Sequence, residues 1–414
     1  TQNHAGYTPR VCIYCRSHLL NANANHSDYV MTYHTLIVGA GIVGQTLACA
    51  LTKRGIDCEI VEIKDDFKIA GAGMTLQGTA LRAFLDIGIV DDMVAAGWHN
   101  PEQGIIFLDT VGSVVLERPE INIVGDGYPP SIAIRRQSVH EVLSRHVAKA
   151  GVAIHMGVTV ETMTDTGGGA EVTFTDGRSA SYALVVGCDG VRSKIRAMTF
   201  PGAEPDFAGF CNWRLILPRP KSIDRVYWLW GHGKTIGLIP VSDDQIYVAG
   251  VGKVANTDRP DQETVPATFR DKFACFGGLV PEILKLDINV GNILYTVMEQ
   301  IKLPAPWFKG RIMVIGDAAH AACPFWAQGA AVGIEDAIVL AQELQSRDDI
   351  DASLAAWFER RFERAKFIQD GSFETGQNLT RDVESDAPKI FPPPVIENLA
   401  KQGAAIQARL AEPY

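Results

Sequence analysis

Gly39, Gly41 and Gly44 stand at Gly-x-Gly-x-x-Gly spacing inside TLIVGAGIVGQTLACALTKRGIDCEIVE, which starts at Thr35. A β-branched run precedes them, and Leu47, Ala48 and Leu51 follow at helical spacing before a second apolar run that ends at Glu62. That order reads as strand, turn, helix, strand. In such a unit the first glycine allows the tight turn, the second lets a pyrophosphate approach the backbone, and the third permits close packing of helix on strand. The helix N-terminus supplies unpaired N–H groups and a positive dipole to the phosphates. Glu62, about 20 residues on, sits where a carboxylate accepts hydrogen bonds from an adenosine ribose. The chemistry implied is dinucleotide binding.

Two further segments place an aspartate at the end of a strand, where open α/β sheets bind ligands. In VVGCDGVRSKIR the apolar run Leu184 to Val186 leads into Asp189 and Gly190; in RIMVIGDAAHAACPFWAQGAAVGIEDA a strand ends in Gly316-Asp317 and a loop and helix follow. His320, set among alanines, reads as a packed, hydrogen-bonded residue and not as a base.

The three fingerprints, in this order, resemble the flavoprotein aromatic hydroxylases, the family of p-hydroxybenzoate and salicylate hydroxylases, from about Met31 to the helix after Asp336. The resemblance implies FAD as cofactor and NADH or NADPH as a transient co-substrate. It also implies a monooxygenase in which a flavin C4a-hydroperoxide delivers oxygen to an electron-rich ring. It places Asp189 and Gly190 near the flavin and the nicotinamide's route, and Asp317 on the ribityl chain. Arg136, in IRRQSVHEVL, matches a family arginine on the flavin side of the cofactor, with Arg135 as the competing assignment. Gly329 and Ala330 match the segment whose N–H groups face the flavin's pyrimidine edge, and Pro324 a proline whose loop lies near the C4a oxygen adduct.

Candidates for the substrate site come from two strands and one loop. Arg214, beside Asn212 and Trp213, is a candidate anchor for a substrate carboxylate or phenolate. Tyr227 is a second catalytic candidate, and Trp228, Trp230, Phe325 and Trp326 are candidate pocket residues. Strand alternation puts Trp228 and Trp230 on one face and Tyr227 on the other, so only one of the two sets can line a pocket. The segment GFCNWRLILPRP looks most like the subgroup of urate and hydroxynicotinate hydroxylases. Where the urate enzymes carry an aspartate after the proline, this chain has Phe325, which points to a more apolar ring, an N-heterocycle or a benzoate.

Motifs spread this widely require a discontinuous α/β fold. The expected organisation is a disordered or extraneous tail over 1–30, a Rossmann-like FAD-binding domain over 31–204 resumed at 304–345, a mainly antiparallel substrate sheet over 205–303, and C-terminal helices over 346–414. RVYWLW, TIGLIP and QIYVAGV, separated by Gly231-His232-Gly233 and Ser242-Asp243-Asp244, read as strands of that sheet. Gly151 to Gly187 reads as a β-meander, and Phe391-Pro392-Pro393-Pro394 as a break between the final helices.

Composition limits the alternatives. With 47% hydrophobic and 21% charged residues and a net charge of −10, the chain has the balance of a globular enzyme and lacks the basic field that nucleic acid needs. No apolar run approaches the roughly 20 residues that span a bilayer, so no membrane role is expected. Scattered cysteines suggest free thiols and a cytoplasmic location, and the Cys12/Cys15 pair has no second pair at zinc spacing, so no metal is expected. The Pro-rich tail offers a surface for a homodimer. The rival readings are a non-hydroxylating flavin oxidoreductase on the same scaffold, a flavin halogenase, whose Gly-Gly-x-Lys-Ser pattern is missing, and a flavin-binding sensor without turnover.

Overall fold

Thr35–Val38 is apolar on both sides and fully buried, as a central parallel strand must be when helices cover both faces of its sheet. This strand, β1, is followed by α1 (Ile42–Lys53) and β2 (Cys58–Glu62). The computed structural model describes residues 34–67, 72–99, 104–381 and 393–414. The tail over 1–30, the Cys12/Cys15 pair and Phe391-Pro392 of the Pro-rich break lie outside the described residues.

From β2 the chain runs through β3 (Gly73–Gln77), α2 (Gly78–Ile87), α3 (Val90–Ala96), β4 (Ile105–Leu108), β5 (Val114–Arg118) and β6 (Ser131–Arg135). Then come α4 (Arg136–Lys149), β7 (Ile154–Met156), the meander β8 (Val160–Asp165), β9 (Ala170–Phe174) and β10 (Ser179–Tyr182), β11 (Leu184–Gly187) and α5 (Lys194–Thr199). The inserted stretch supplies β12 (Asp206–Pro218), β13 (Val226–Gly231), β14 (Lys234–Pro240), β15 (Gln245–Lys253), α6 (Val265–Phe273), α7 (Val280–Leu284) and β16 (Ile293–Gln300). The chain closes with β17 (Phe308–Lys309), β18 (Ile312–Val314), α8 (Asp317–His320), a 3-10 turn over Pro324–Trp326, α9 (Gly329–Ser346), α10 (Ile350–Leu379) and α11 (Pro393–Ala411).

The six-stranded sheet has the order β17-β18-β11-β1-β2-β7 and is parallel except at the β17 edge. All three motifs therefore arrive at neighbouring strand ends: β1 pairs with both β2 and β11, and β11 with β18. The three-stranded meander lies in the order β10-β9-β8. α2 and α10 hold the C-terminal residues: Arg82 donates to the Ala411 and Glu412 carbonyls, and Arg364 to that of Leu410.

The larger sheet runs β16-β12-β15-β14-β13-β4-β5. It takes in β4 and β5, from a stretch the sequence places with the first FAD-binding piece, because β4 pairs in parallel with β13, over a hundred residues on. One face, carrying Trp213, Leu215, Tyr227 and Leu229, packs beneath Phe269 and Phe273 of α6 and Val280 and Ile283 of α7. The other face carries Ile216, Trp228, Tyr247 and Ala249 against Ala133 of β6, and Phe210 and Val251 against Cys323 and Phe325. Only the second face looks toward the motifs.

Candidate cofactor and substrate site

The glycine turn is built as its spacing requires. Gly39 has φ +107°, and a Cβ there would meet the Cys188 carbonyl oxygen at 2.6 Å. A Cβ on Gly44 would meet the Gly39 oxygen at 2.0 Å, whereas one on Gly41 would enter open space. Gly41 caps α1 with no side-chain hydrogen bond, so the first amides of that helix have no side-chain partner there. They face a cavity of about 270 Å³ lined by Gly41, Glu62, Lys64, Arg136, His140 and Arg214. Glu62 is tied to the turn, accepting the Ala40 amide at 2.8 Å through Oε2 and the Lys64 amide at 3.1 Å through Oε1. Of the two competing arginines, Arg136 lines the cavity and Arg135 does not.

Asp189 is engaged within its own turn. Its carboxylate accepts the Ser193 hydroxyl at 2.5 Å and the Lys194 and Ile195 amides at 2.7 and 3.1 Å, so it fixes the start of α5 and the turn at Gly190, where φ is +80°. Asp317 contrasts with it. The side chain is accessible to solvent and accepts no hydrogen bond from the described residues, yet protein surrounds it closely enough that desolvation pushes its carboxyl pKa up.

Behind Asp317 lies a buried network with no counterpart in the sequence reading. Asp336 of α9 accepts the Gly316 amide at 3.0 Å and lies 2.6 Å from His320 Nε2, while its other oxygen accepts Arg361 Nε at 2.8 Å. Arg361 also donates to Glu335 at 3.0 Å. His320 is therefore the packed residue its setting suggested. The network holds the Gly-Asp turn from the rear.

The Pro324 loop is held from two sides. A hydrogen-bond chain runs from the Thr79 hydroxyl to Gln328 Oε1, from Gln328 Nε2 to Gln77 Oε1, and from Gln77 Nε2 to the Trp326 carbonyl. On the far side, a Cβ at Gly371 would meet the Trp326 ring at 2.1 Å and one at Gly376 the Phe325 ring at 2.2 Å, so both rings lie against α10. Trp326 Nε1 donates to Thr375 Oγ1 at 2.8 Å, and the Phe325 ring packs 5.1 Å from that of Phe210. Phe325 and Trp326 thus anchor the loop to α10. Pro324 stays exposed, and Gly329 and Ala330 begin α9 beside it, with open space at Gly329.

The sheet resolves the choice of faces. Tyr227 lies on the face under α6 and α7 and donates to Asp224 at 2.7 Å, so it is removed from the catalytic candidates. Trp228 and Trp230 are on the open face: Trp228 lies across Gly237, and Trp230 is buried with its ring 4.5 Å from that of Phe107. Asn212 pairs with Val251, and Val251 with Thr235, so these two polar residues share that face across one apolar residue. Both are buried, and Asn212 Oδ1 and Thr235 Oγ1 have no hydrogen-bond partner. Thr235 went unnoticed in the sequence, although a lone hydroxyl inside TIGLIP was the available signal. Arg214 donates to Thr296 at 3.2 Å and extends into the cavity of Gly41 and Arg136, where burial lowers its pKa.

These residues fit FAD: an open helix N-terminus for the diphosphate, cations around it, and an unpartnered carboxylate at the adjoining strand end. Among the described residues, no group of three or more His, Cys, Asp or Glu side chains could hold a metal ion, and no helix is long and apolar enough to cross a membrane.

Residues 32–353 match the family described as FAD binding domain. A 2-heptyl-3-hydroxy-4(1H)-quinolone synthase of Pseudomonas aeruginosa is 32% identical over 345 residues, 83% of this chain and 88% of that protein. A 6-hydroxynicotinate 3-monooxygenase of Pseudomonas fluorescens is 27% identical over 347 residues, 80% and 88% of the two chains. The crystal structure of Klebsiella pneumoniae HpxO complexed with FAD and uric acid superposes with a TM-score of 0.79 at 21% identity, covering 92% of this chain and 96% of that one.

Proposed function

Because the chain belongs to the FAD-binding-domain family and is an FAD-dependent aromatic monooxygenase, we propose that it hydroxylates a small N-heteroaromatic compound with NADH or NADPH as reductant. The overall balance is one substrate C–H, one O2, one NAD(P)H and one proton giving one C–OH, one water and NAD(P)+. Bound in this seat, FAD would supply the chemistry that takes two electrons from the nicotinamide and transfers one oxygen atom of O2 to the ring.

The chain's own residues bind, orient and shield. The first amides of α1, opened by Gly41, and the Arg136 guanidinium hold the diphosphate, with Arg214 adding charge to that cavity and not anchoring substrate. Glu62 accepts from the ribose and Asp317 from the ribityl hydroxyls. The α9 amides at Gly329 and Ala330 meet negative charge on the pyrimidine edge. The Pro324 loop, braced by Gln77, Gln328 and α10, excludes water from the reacting side.

One observation carries the substrate assignment. Asn212 and Thr235 leave two unsatisfied polar atoms on one face of the sheet, flanking Val251, and two strands of separation puts them about 9.6 Å apart. A flat heterocycle with polar atoms at both ends fits such a wall, and the quinolone and nicotinate in the relatives' names have that character. The described cysteines are unpaired, which supports a reducing cytoplasmic location.

The test is a panel of quinolones, hydroxypyridines and benzoates added to the FAD-loaded protein with NADH or NADPH. A heterocycle that stimulates reductant oxidation and yields an equal amount of hydroxylated product supports the reading. Stimulation by benzoates alone contradicts the substrate class.

A further inference from the structure

His140 is held by hydrogen bonds that begin in the glycine turn. Gln45, fully buried on α1, donates from Nε2 to the Ala40 carbonyl at 2.8 Å, and the same nitrogen lies 3.2 Å from His140 Nδ1. Gln45 Oε1 accepts the Ser144 hydroxyl at 2.9 Å. A carbonyl oxygen only accepts, so the amide group beside Ala40 is the NH2, and its second hydrogen points at Nδ1. Nδ1 is thereby the acceptor. A neutral imidazole that accepts on Nδ1 carries its hydrogen on Nε2.

His140 lies four residues after Arg136 on α4, one turn along the same helix face, and both line the cavity with Gly41 and Glu62. Among the described residues Nε2 has no hydrogen-bond partner.

We propose that His140 is a further cofactor-binding residue, whose Nε2–H, set in that tautomer by Gln45, donates to a diphosphate oxygen of FAD beside Arg136. The proposal rests on the dinucleotide seat described above. Burial first, then the nearby charges of Arg136 and Lys64, push the His140 pKa down to about 4, so near neutral pH the ring is the uncharged donor this contact needs. Gln45 spans the turn and the ring, so one buried amide sets both.

The apo-protein is titrated with FAD while flavin fluorescence is followed. His140→Ala is expected to weaken binding about ten- to a hundredfold, the range for a hydrogen bond to a charged group. His140→Gln, which offers an amide N–H at similar reach, is expected to regain most of that loss, with thermal midpoints close to the unaltered protein's. In the ¹⁵N-imidazole spectrum of the unaltered apo-protein, the hydrogen is expected on Nε2, with a shift of that signal on adding ADP. Unchanged FAD affinity in His140→Ala, or the hydrogen on Nδ1, overturns the proposal. Unaltered protein that binds no FAD overturns the seat itself, a separate failure that the first titration reveals.

Discussion

A Cβ on Gly44 would stand 2.0 Å from the carbonyl oxygen of Gly39, so α1 meets the glycine turn at a distance only a hydrogen side chain allows. Gly41, three residues earlier, faces open space with an ordinary φ of −69°. The two glycines should fail differently. Gly44→Ala is expected to destabilise the fold itself by about 1–3 kcal/mol through overpacking. Gly41→Ala is expected to keep the unaltered unfolding midpoint while weakening FAD binding, because its methyl occupies cofactor space. Urea unfolding beside FAD titration separates the two.

Asp336 makes acid stability a second test. Burial alone would push its carboxyl up, but the charges of His320 and Arg361 and their hydrogen bonds outweigh that and hold it down at about 2 against 3.8 for the free group. A folded pKa below the unfolded one contributes its full stability above about pH 4 and loses it as pH falls toward 2. Unfolding free energy measured across that window should fall with pH. Asp336→Asn should flatten the dependence and cost about 3–5 kcal/mol at neutral pH, because it leaves Arg361 short of a buried counter-charge.

Asn212 and Thr235 predict opposite effects on stability and turnover. Their unpaired atoms are a burden without substrate, so Asn212→Leu and Thr235→Val should leave stability unchanged or raise it slightly. The same variants should raise KM for the substrate about tenfold each, the worth of roughly one hydrogen bond, while FAD affinity stays constant. Steady-state kinetics beside FAD titration checks the split.

Gly371 tests the support of the Pro324 loop. Valine there collides with the Trp326 ring, displacing the loop without touching the dinucleotide cavity. Gly371→Val should retain FAD yet divert reductant to hydrogen peroxide, because water reaches the reacting side. Peroxide formed per NAD(P)H oxidised is the measurement.

The glycine turn was legible because its signals are local: Gly39, Gly41, Gly44 and Glu62 lie within one strand, turn, helix, strand unit, and Gly44 answers a steric demand from the Gly39 carbonyl beside it. The order of the three motifs implied a discontinuous domain for the same reason. What stayed hidden depends on contacts distant in sequence. Alternation separated Tyr227 from Trp228, but only the seating of α6 and α7 decides which face is covered. β4 joins the larger sheet through a parallel partner far along the chain, which no local pattern announces. Nothing beside Phe325 and Trp326 in the sequence announces that Gly371 and Gly376 of α10 leave room for their rings. Asp336, Arg361, Gln45 and His140 are ordinary helix residues until the fold brings them together.

The most direct test of the central claim is incorporation of oxygen from ¹⁸O2. The FAD-loaded protein is supplied with NADH or NADPH and the N-heterocycle that stimulates oxidation, and the product is weighed by mass spectrometry. One ¹⁸O atom per hydroxylated product, with one NAD(P)H oxidised for each, is the predicted result. Product oxygen drawn from water, or reductant consumed at a rate no aromatic compound changes with peroxide as the only product, would contradict the account and leave a non-hydroxylating flavin oxidoreductase in its place.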